Sequence, residues 1–217
     1  MDTNQSQESV ATAFTSVKDT QPETPGAART AKHLCSIVSA LARATGARFS
    51  PAAIVILPKL LPFLDAKREE VREAVSRSVE TVLEECPSMD TLRAATLSLL
   101  NSTKAFLRRK ASRFLRVAIE RWPRAVLYMM LSPVIQQMRR SLLDVDANVR
   151  REGRHTLGAF VRLWPTEGAG VYHTLDRTSQ RAVLLEQPSV SNYIWGVSPK
   201  VGTQGCSAVA ASPSSAV

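Results

Sequence analysis

Cysteine is scarce in this sequence. The three residues present (Cys35, Cys86 and Cys206) are odd in number and far apart, with no CxxC pair. That excludes a disulfide framework and a thiolate zinc site, and it suits a reducing compartment. Aromatics make up only 6% of the chain, too few for the large β cores that lean on aromatic and β-branched residues. Glycine and proline are at ordinary levels, so neither a collagen-like nor a wholly disordered chain fits. No run of about eighteen apolar residues occurs, the best stretches being cut by Pro58 and Ser132, and no membrane span is expected. The opening MDTNQSQESV has neither a basic start nor an apolar core, so no secretory signal is expected either.

Catalytic patterns are missing as well. His33, His155 and His173 are the only histidines, and no HExxH, GxSxG or glycine-rich phosphate loop occurs. Asn101-Ser102-Thr103 is formally a glycosylation sequon, but a chain without a signal would not meet that machinery. The expectation is a protein that is not an enzyme, with no metal and no cofactor.

What the chain has is charge and repetition. Its net charge of +9 favours an acidic partner. Residues 104–162 hold fourteen Lys and Arg against four acids, so the charge is concentrated there. The ends differ in composition: 1–28 is rich in Thr, Ser, Gln and Ala, and 188–217 carries seven serines and one charge, Lys200. Both read as disordered tails around a folded segment 29–187, with Tyr193-Ile194-Trp195 as one spot able to dock back.

Three segments share one design. Each opens on an apolar-Arg pair (Val71-Arg72, Leu107-Arg108, Val149-Arg150). Each closes sixteen residues later on the proline of Cys86-Pro87, Trp122-Pro123 or Trp164-Pro165. Apolar or small residues recur at matching offsets: Val75, Val79, Val82 and Leu83; then Ala111, Leu115, Ala118 and Ile119; then Gly153, Leu157, Phe160 and Val161. Steps of three and four place each set on one helix face, and the proline stops the helix. The small residue at the first offset predicts a tight helix crossing. Trp122 and Trp164 should be buried.

A further helix precedes each of these. Ser50-Pro51 predicts a helix over 52–64 with Ser50 as its cap. Helices are also expected over 88–100 and over 123–143, the latter bent or broken at Ser132-Pro133. An extra helix over 30–45 and a poorer one over 168–186 flank them. A ladder of helical hairpins with a period near forty residues is the signature of a HEAT-type solenoid. The fold class is all-α, about four repeats.

The third unit, from Asp144 through Asn148-Val149-Arg150, resembles a HEAT repeat in detail. In that family the turn Asp and the Arg bond from repeat to repeat, which implies structural roles for Asp144 and Arg150. The run from Asp146 through Trp164-Pro165 to Leu175-Asp176 and Gln180-Arg181 resembles the end of a TOG domain of the CLASP type. The stretch 101–122, with Lys104 and a closing Trp122, is similar to the preceding CLASP repeat, although Ser102 stands where the Asp would be. Ciliary TOG-array proteins share this domain type. The similarity covers about 30–187 and matches the later repeats of a six-repeat domain. The family's first-repeat turn, with its tubulin-contacting Trp, has no counterpart in 1–28.

The resemblance implies a module that binds tubulin or microtubules and regulates their dynamics from the cytoplasm, on the cytoskeleton of spindle or cilium. The family grips tubulin with the turns inside its hairpins. Carried over, that implies Lys67 and Arg68, Asn101 and Lys104, and Asn148 and Arg151 as contact residues. Separately, Arg109, Arg113 and Arg116 form a basic stripe on an outer helix face, with only Glu120 nearby to relieve it. The alternative reading is a generic HEAT scaffold whose basic face takes an acidic protein or RNA. Nucleic acid is disfavoured, because Phe114, Trp122 and Trp164 fall on buried stripes instead of interleaving with the cations.

Overall fold

The structure is a computed structural model that describes residues 25–195. Among those residues it contains helices and no strand. The tail assignments at 1–24 and 196–217 lie outside the described residues. In chain order the helices are α1 (Pro25–Thr45), α2 (Ser50–Leu60), α3 (Glu69–Glu85), α4 (Met89–Leu100), α5 (Ala105–Arg121) and α6 (Arg124–Tyr128). Then come α7 (Leu131–Leu142), α8 (Ala147–Leu163), α9 (Pro165–His173), α10 (Arg177–Glu186) and α11 (Ser191–Ile194). Short 3-10 turns at Gly46–Phe49, Leu61–Asp65 and Pro188–Val190 join some of them.

Two rows result. Helices α1, α3, α5, α8 and α10 stack side by side, and the hairpin partners α2, α4, α7 and α9 lie on the other side. The expected stripes face the seam between the rows. Val75, Val79, Val82 and Leu83 are fully buried, as are Ala111, Leu115 and Ala118 and, in α8, Leu157, Phe160 and Val161. No hairpin could bury its stripe alone, so the neighbour supplies the cover.

The small residue at the first offset has its expected use. A Cβ on Gly153 would lie 2.9 Å from both the Leu142 nitrogen and the Ser141 carbonyl carbon. Helices α7 and α8 therefore cross here in backbone contact.

The closing residues of the first two units reach back to the preceding repeat, and that of the third does not. Cys86 Sγ donates to the Gly46 carbonyl at 3.3 Å, and Trp122 Nε1 donates to the Leu83 carbonyl. Trp164 is buried but finds no acceptor among the described residues; it stacks on Phe160 at 5.2 Å and lies under the Arg124 guanidinium. Burial pushes the Cys35 thiol up to about 12 and the Cys86 thiol to about 11, so both behave as packing groups.

Several local expectations need correction. Helix α2 begins at Ser50, and its cap position is Phe49, which makes no side-chain capping bond; Pro51 alone supplies the start signal. The third hairpin breaks at Met129-Met130 instead of Ser132-Pro133, because Pro133 sits in the first turn of α7, where a missing N–H costs nothing. The last expected helix is two, α9 and α10, separated by a turn capped by Asp176. Order continues past 187: Val190 is buried, Tyr193 and Ile194 pack on the core, and Trp195 meets the His173 ring edge-on.

The membrane expectation also needs qualification. The helical run Gly26–Asp65 reaches a mean hydropathy of 1.4 over eighteen residues, enough by length and composition alone. Half of that window is buried inside the array, and Gly46, at φ +55, turns the chain between α1 and α2. The run is two core helices.

Candidate functional site

The turns inside the hairpins line one edge, and a single device shapes each of them. The carbonyls of a short turn between helices lie outside the helical ladder and need donors from elsewhere. Arg72 Nη1 donates to the Ala66 and Lys67 carbonyls, both at 2.9 Å. Arg108 Nη1 donates likewise to Ser102 at 3.0 Å and Thr103 at 2.9 Å, and Arg150 Nη1 to Asp144 at 2.9 Å and Val145 at 2.8 Å. The fourth turn uses an amide: Gln180 Nε2 donates to Leu175 at 3.0 Å and Tyr172 at 3.3 Å. The Arg of each apolar-Arg pair, and Gln180 after them, is thus a turn clamp. The family resemblance implied a structural role, as a bond between repeats, for Arg150 alone; the shared offset of Arg72 and Arg108 is the signal that all three act as turn clamps.

The bond from repeat to repeat joins Asp144 to Arg108, the arginine at the head of the matching helix one repeat earlier. Arg108 Nε donates to Oδ2 at 2.7 Å and Nη2 to Oδ1 at 2.8 Å. Both side chains are largely buried, and the guanidinium holds the Asp144 carboxyl below its usual range. One boundary earlier, Ser102 replaces the Asp, and Arg72 has no carboxylate there; Lys104 instead pairs with Asp65. Lys104, expected as a tubulin contact, is therefore half-exposed and already in an ion pair.

The other expected contacts divide. Lys67, Asn101, Asn148 and Arg151 are exposed on the edge and Arg68 is half-buried. Asn101 Nδ2 donates to the Leu97 carbonyl at 3.1 Å, closing the end of α4. Arg151 is in no ion pair among the described residues, and it stands one residue after the clamp Arg150. Arg109 stands one residue after the clamp Arg108, likewise exposed and likewise in no ion pair among the described residues. Arg109 and the exposed Phe106 line a depression of about 560 Å³ against the first turn.

The basic stripe is corrected accordingly. Arg109 belongs to the turn edge, while Arg113 and Arg116 lie over the helix seams, where neighbouring repeats neutralise them. Arg113 Nε meets Glu80 at 2.8 Å, and Arg116 bonds Glu152 at 3.0 Å and approaches Glu120 at 3.7 Å. Arg121 with Glu84, and Arg154 with Glu186, continue the ladder. Lys110 donates to Ser76 Oγ at 2.8 Å, and burial pulls its ammonium pKa down. The basic segment 104–162 thus draws counter-charges from helices outside it, which counting charge along the chain cannot reveal.

Among the described residues no group of three or more His, Cys, Asp or Glu is placed to hold a metal.

No curated protein matches the chain. Two crystal structures of engineered proteins from the Northeast Structural Genomics Consortium overlay 86% of it at 15% and 16% identity, each with a TM-score of 0.44. The overlays take in 79% and 47% of those proteins' own lengths. Residues 27–184, nearly the whole helical array, match the family described as CLASP N terminal. The chain belongs to the CLASP N terminal family.

Proposed function

We propose that this array binds tubulin or the microtubule lattice through its turn edge, with Arg109 and Arg151 as the principal cations. Family membership supports the reading, and one observation carries it. On an array whose seam cations are neutralised by neighbouring glutamates, Arg109 and Arg151 recur at one offset, exposed and in no close ion pair among the described residues. Tubulin is acidic, and cations held at fixed spacing on a rigid edge both steer and orient such a partner. Lys67, Arg68, Asn101, Lys104 and Asn148 flank them and extend the contact. Phe106 adds an apolar anchor beside Arg109. On this reading the protein works in the cytoplasm on the microtubule cytoskeleton.

The test is co-elution of the purified chain with free tubulin in size-exclusion chromatography, beside microtubule pelleting. The double variant Arg109→Glu/Arg151→Glu should lose binding, and Arg113→Glu should retain most of it. Equal losses would mean nonspecific attraction by the basic segment. Absence of binding by the unmutated chain would leave the generic scaffold with an acidic partner.

A further inference from the structure

The row containing α2, α4, α7 and α9 is not evenly closed. Helices α2 and α4 pack along their length, whereas α4 and α7 barely touch. The cause is the interrupted third hairpin: α6 ends at Tyr128, and the chain turns through Met129-Met130 before α7 begins. Met130 drops into the gap and forms a floor instead of a wall. An open groove of about 400 Å³ remains between α4 and α7, within the size range of ligand-binding clefts.

Its chemistry is specific. Met89 and Leu97 stand partly exposed on its α4 side, 42% and 51% accessible, with Leu100 behind them. Arg93 on α4 and Arg140 on α7 line it from opposite sides. Neither is in an ion pair among the described residues, in contrast to the arginines over the helix seams. Gln137 also lines the groove, and its buried amide nitrogen has no acceptor among the described residues. The apolar surface continues beyond Pro133 to a second depression that carries Tyr128 and Arg139, with Glu167 the one acid lining either.

We propose that the α4–α7 groove docks an acidic amphipathic helix of a partner protein. An apolar floor flanked by Arg93 and Arg140, neither in a close ion pair among the described residues although Arg140 also acts on Asp144, complements a helix with apolar residues at i, i+3 or i+4 and i+7 and carboxylates on its flanks. Each wall is twelve residues long, about 18 Å at the 1.5 Å rise of a helix, matching a ligand of about three turns. An extended segment is disfavoured, because both walls are helices and offer no free backbone edge to pair with. The site is separate from the turn edge and does not rest on tubulin binding.

The test uses a pool of fluorescein-labelled fourteen-residue amphipathic helices. Leu, Phe or Met varies at the three apolar positions with Glu on the flanks, and a matched pool carries Lys in place of Glu. Fluorescence anisotropy with the full chain should find acidic members with micromolar Kd, at least about ten-fold tighter than their lysine counterparts. Leu97→Asp and Arg93→Glu, both at exposed positions, should each weaken that binding about ten-fold with the helical circular dichroism unchanged, while Lys104→Glu leaves it unaltered. Failure of every acidic peptide, equal binding of the lysine pool, or indifference to both groove variants would overturn the proposal. Self-association of the unmutated chain that Leu97→Asp abolishes would assign the groove to a second copy and overturn it as well.

Discussion

Arg108 and Asp144, thirty-six residues apart, form a two-point ion pair that fastens the second hairpin to the third. The same guanidinium clamps its own turn through the Ser102 and Thr103 carbonyls. One side chain therefore shapes a turn and sets the spacing to the next. Removing Asp144 leaves a largely buried cation without its partner, so Asp144→Ala should cost about 1.5–3 kcal/mol in urea unfolding. Arg150→Ala, which loses turn carbonyls only, should cost less.

Stability should fall in acid, and these pairs fix the direction. The Arg108 guanidinium first, then the Asp146 N–H, holds the Asp144 carboxyl below its ordinary value, and Arg154 does the same for Glu186. A carboxyl lowered in the folded state contributes stability that is complete above its unfolded pKa, about 4 for Asp and Glu. That stability is lost as pH falls from there through the folded value. Unfolding free energy should therefore be flat from pH 7 to about 5 and decline below that. Asp144→Asn should make the acid limb shallower; an unchanged limb would show that the pair does not report on folding.

Core truncations test the helix register. Leu115 and Leu157 are fully buried at equivalent offsets, and conversion of either to Ala should cost about 2–5 kcal/mol. Leu143, 66% exposed in the third turn, should cost less than about 0.5 kcal/mol. Equal losses at all three sites in chemical denaturation would contradict the stacking described above.

Two glycines make a matched pair. Gly153→Ala pushes a methyl into the backbone of α7 and should destabilise by about 1–3 kcal/mol. Gly170→Ala, with nothing within 4 Å of the added carbon, should stabilise α9 by about 0.5–1 kcal/mol. Thermal melts of the two variants should shift in opposite directions.

Charge reversal separates the turn edge from the seams in binding. Exposed ion pairs contribute about 0.2–1 kcal/mol each, so single variants Arg109→Glu or Arg151→Glu should weaken tubulin binding roughly 1.5- to 5-fold, and the pair together more. Lys104→Glu also breaks the Asp65 pair and should show a small stability loss beside its binding loss. Arg113→Glu opposes Glu80 and should register in stability before binding. Salt weakens every basic surface and is no substitute for this comparison.

The repeat design was legible because it is a local pattern. Steps of three and four residues define a helix face, and a proline sixteen residues after each anchor defines its end. The buried sets around Val79, Leu115 and Leu157 and the backbone contact at Gly153 follow from that spacing. The candidate edge was legible in part: Lys67, Asn101, Asn148 and Arg151 are exposed on the turns. The pairing of Lys104 with Asp65 was not, since the two are thirty-nine residues apart and meet only when hairpins stack.

The sequence by itself determined that this chain is a helical ladder, which faces of its helices are apolar, and where most of its helices stop. Those are properties of residues within one turn of each other, and helix geometry alone relates them. Only the tertiary structure decided which charges are spent. Arg113 and Arg116 looked like a free basic stripe along the chain, and stacking brings Glu80 and Glu152 against them. It likewise decided that Arg109 stands with Arg151 on the turn edge, and that the break at Met129-Met130 opens a groove between α4 and α7. The physical reason is the same throughout. Coulombic partners and groove walls come from elements roughly forty residues apart, and only the stacking of one hairpin on the next brings them together.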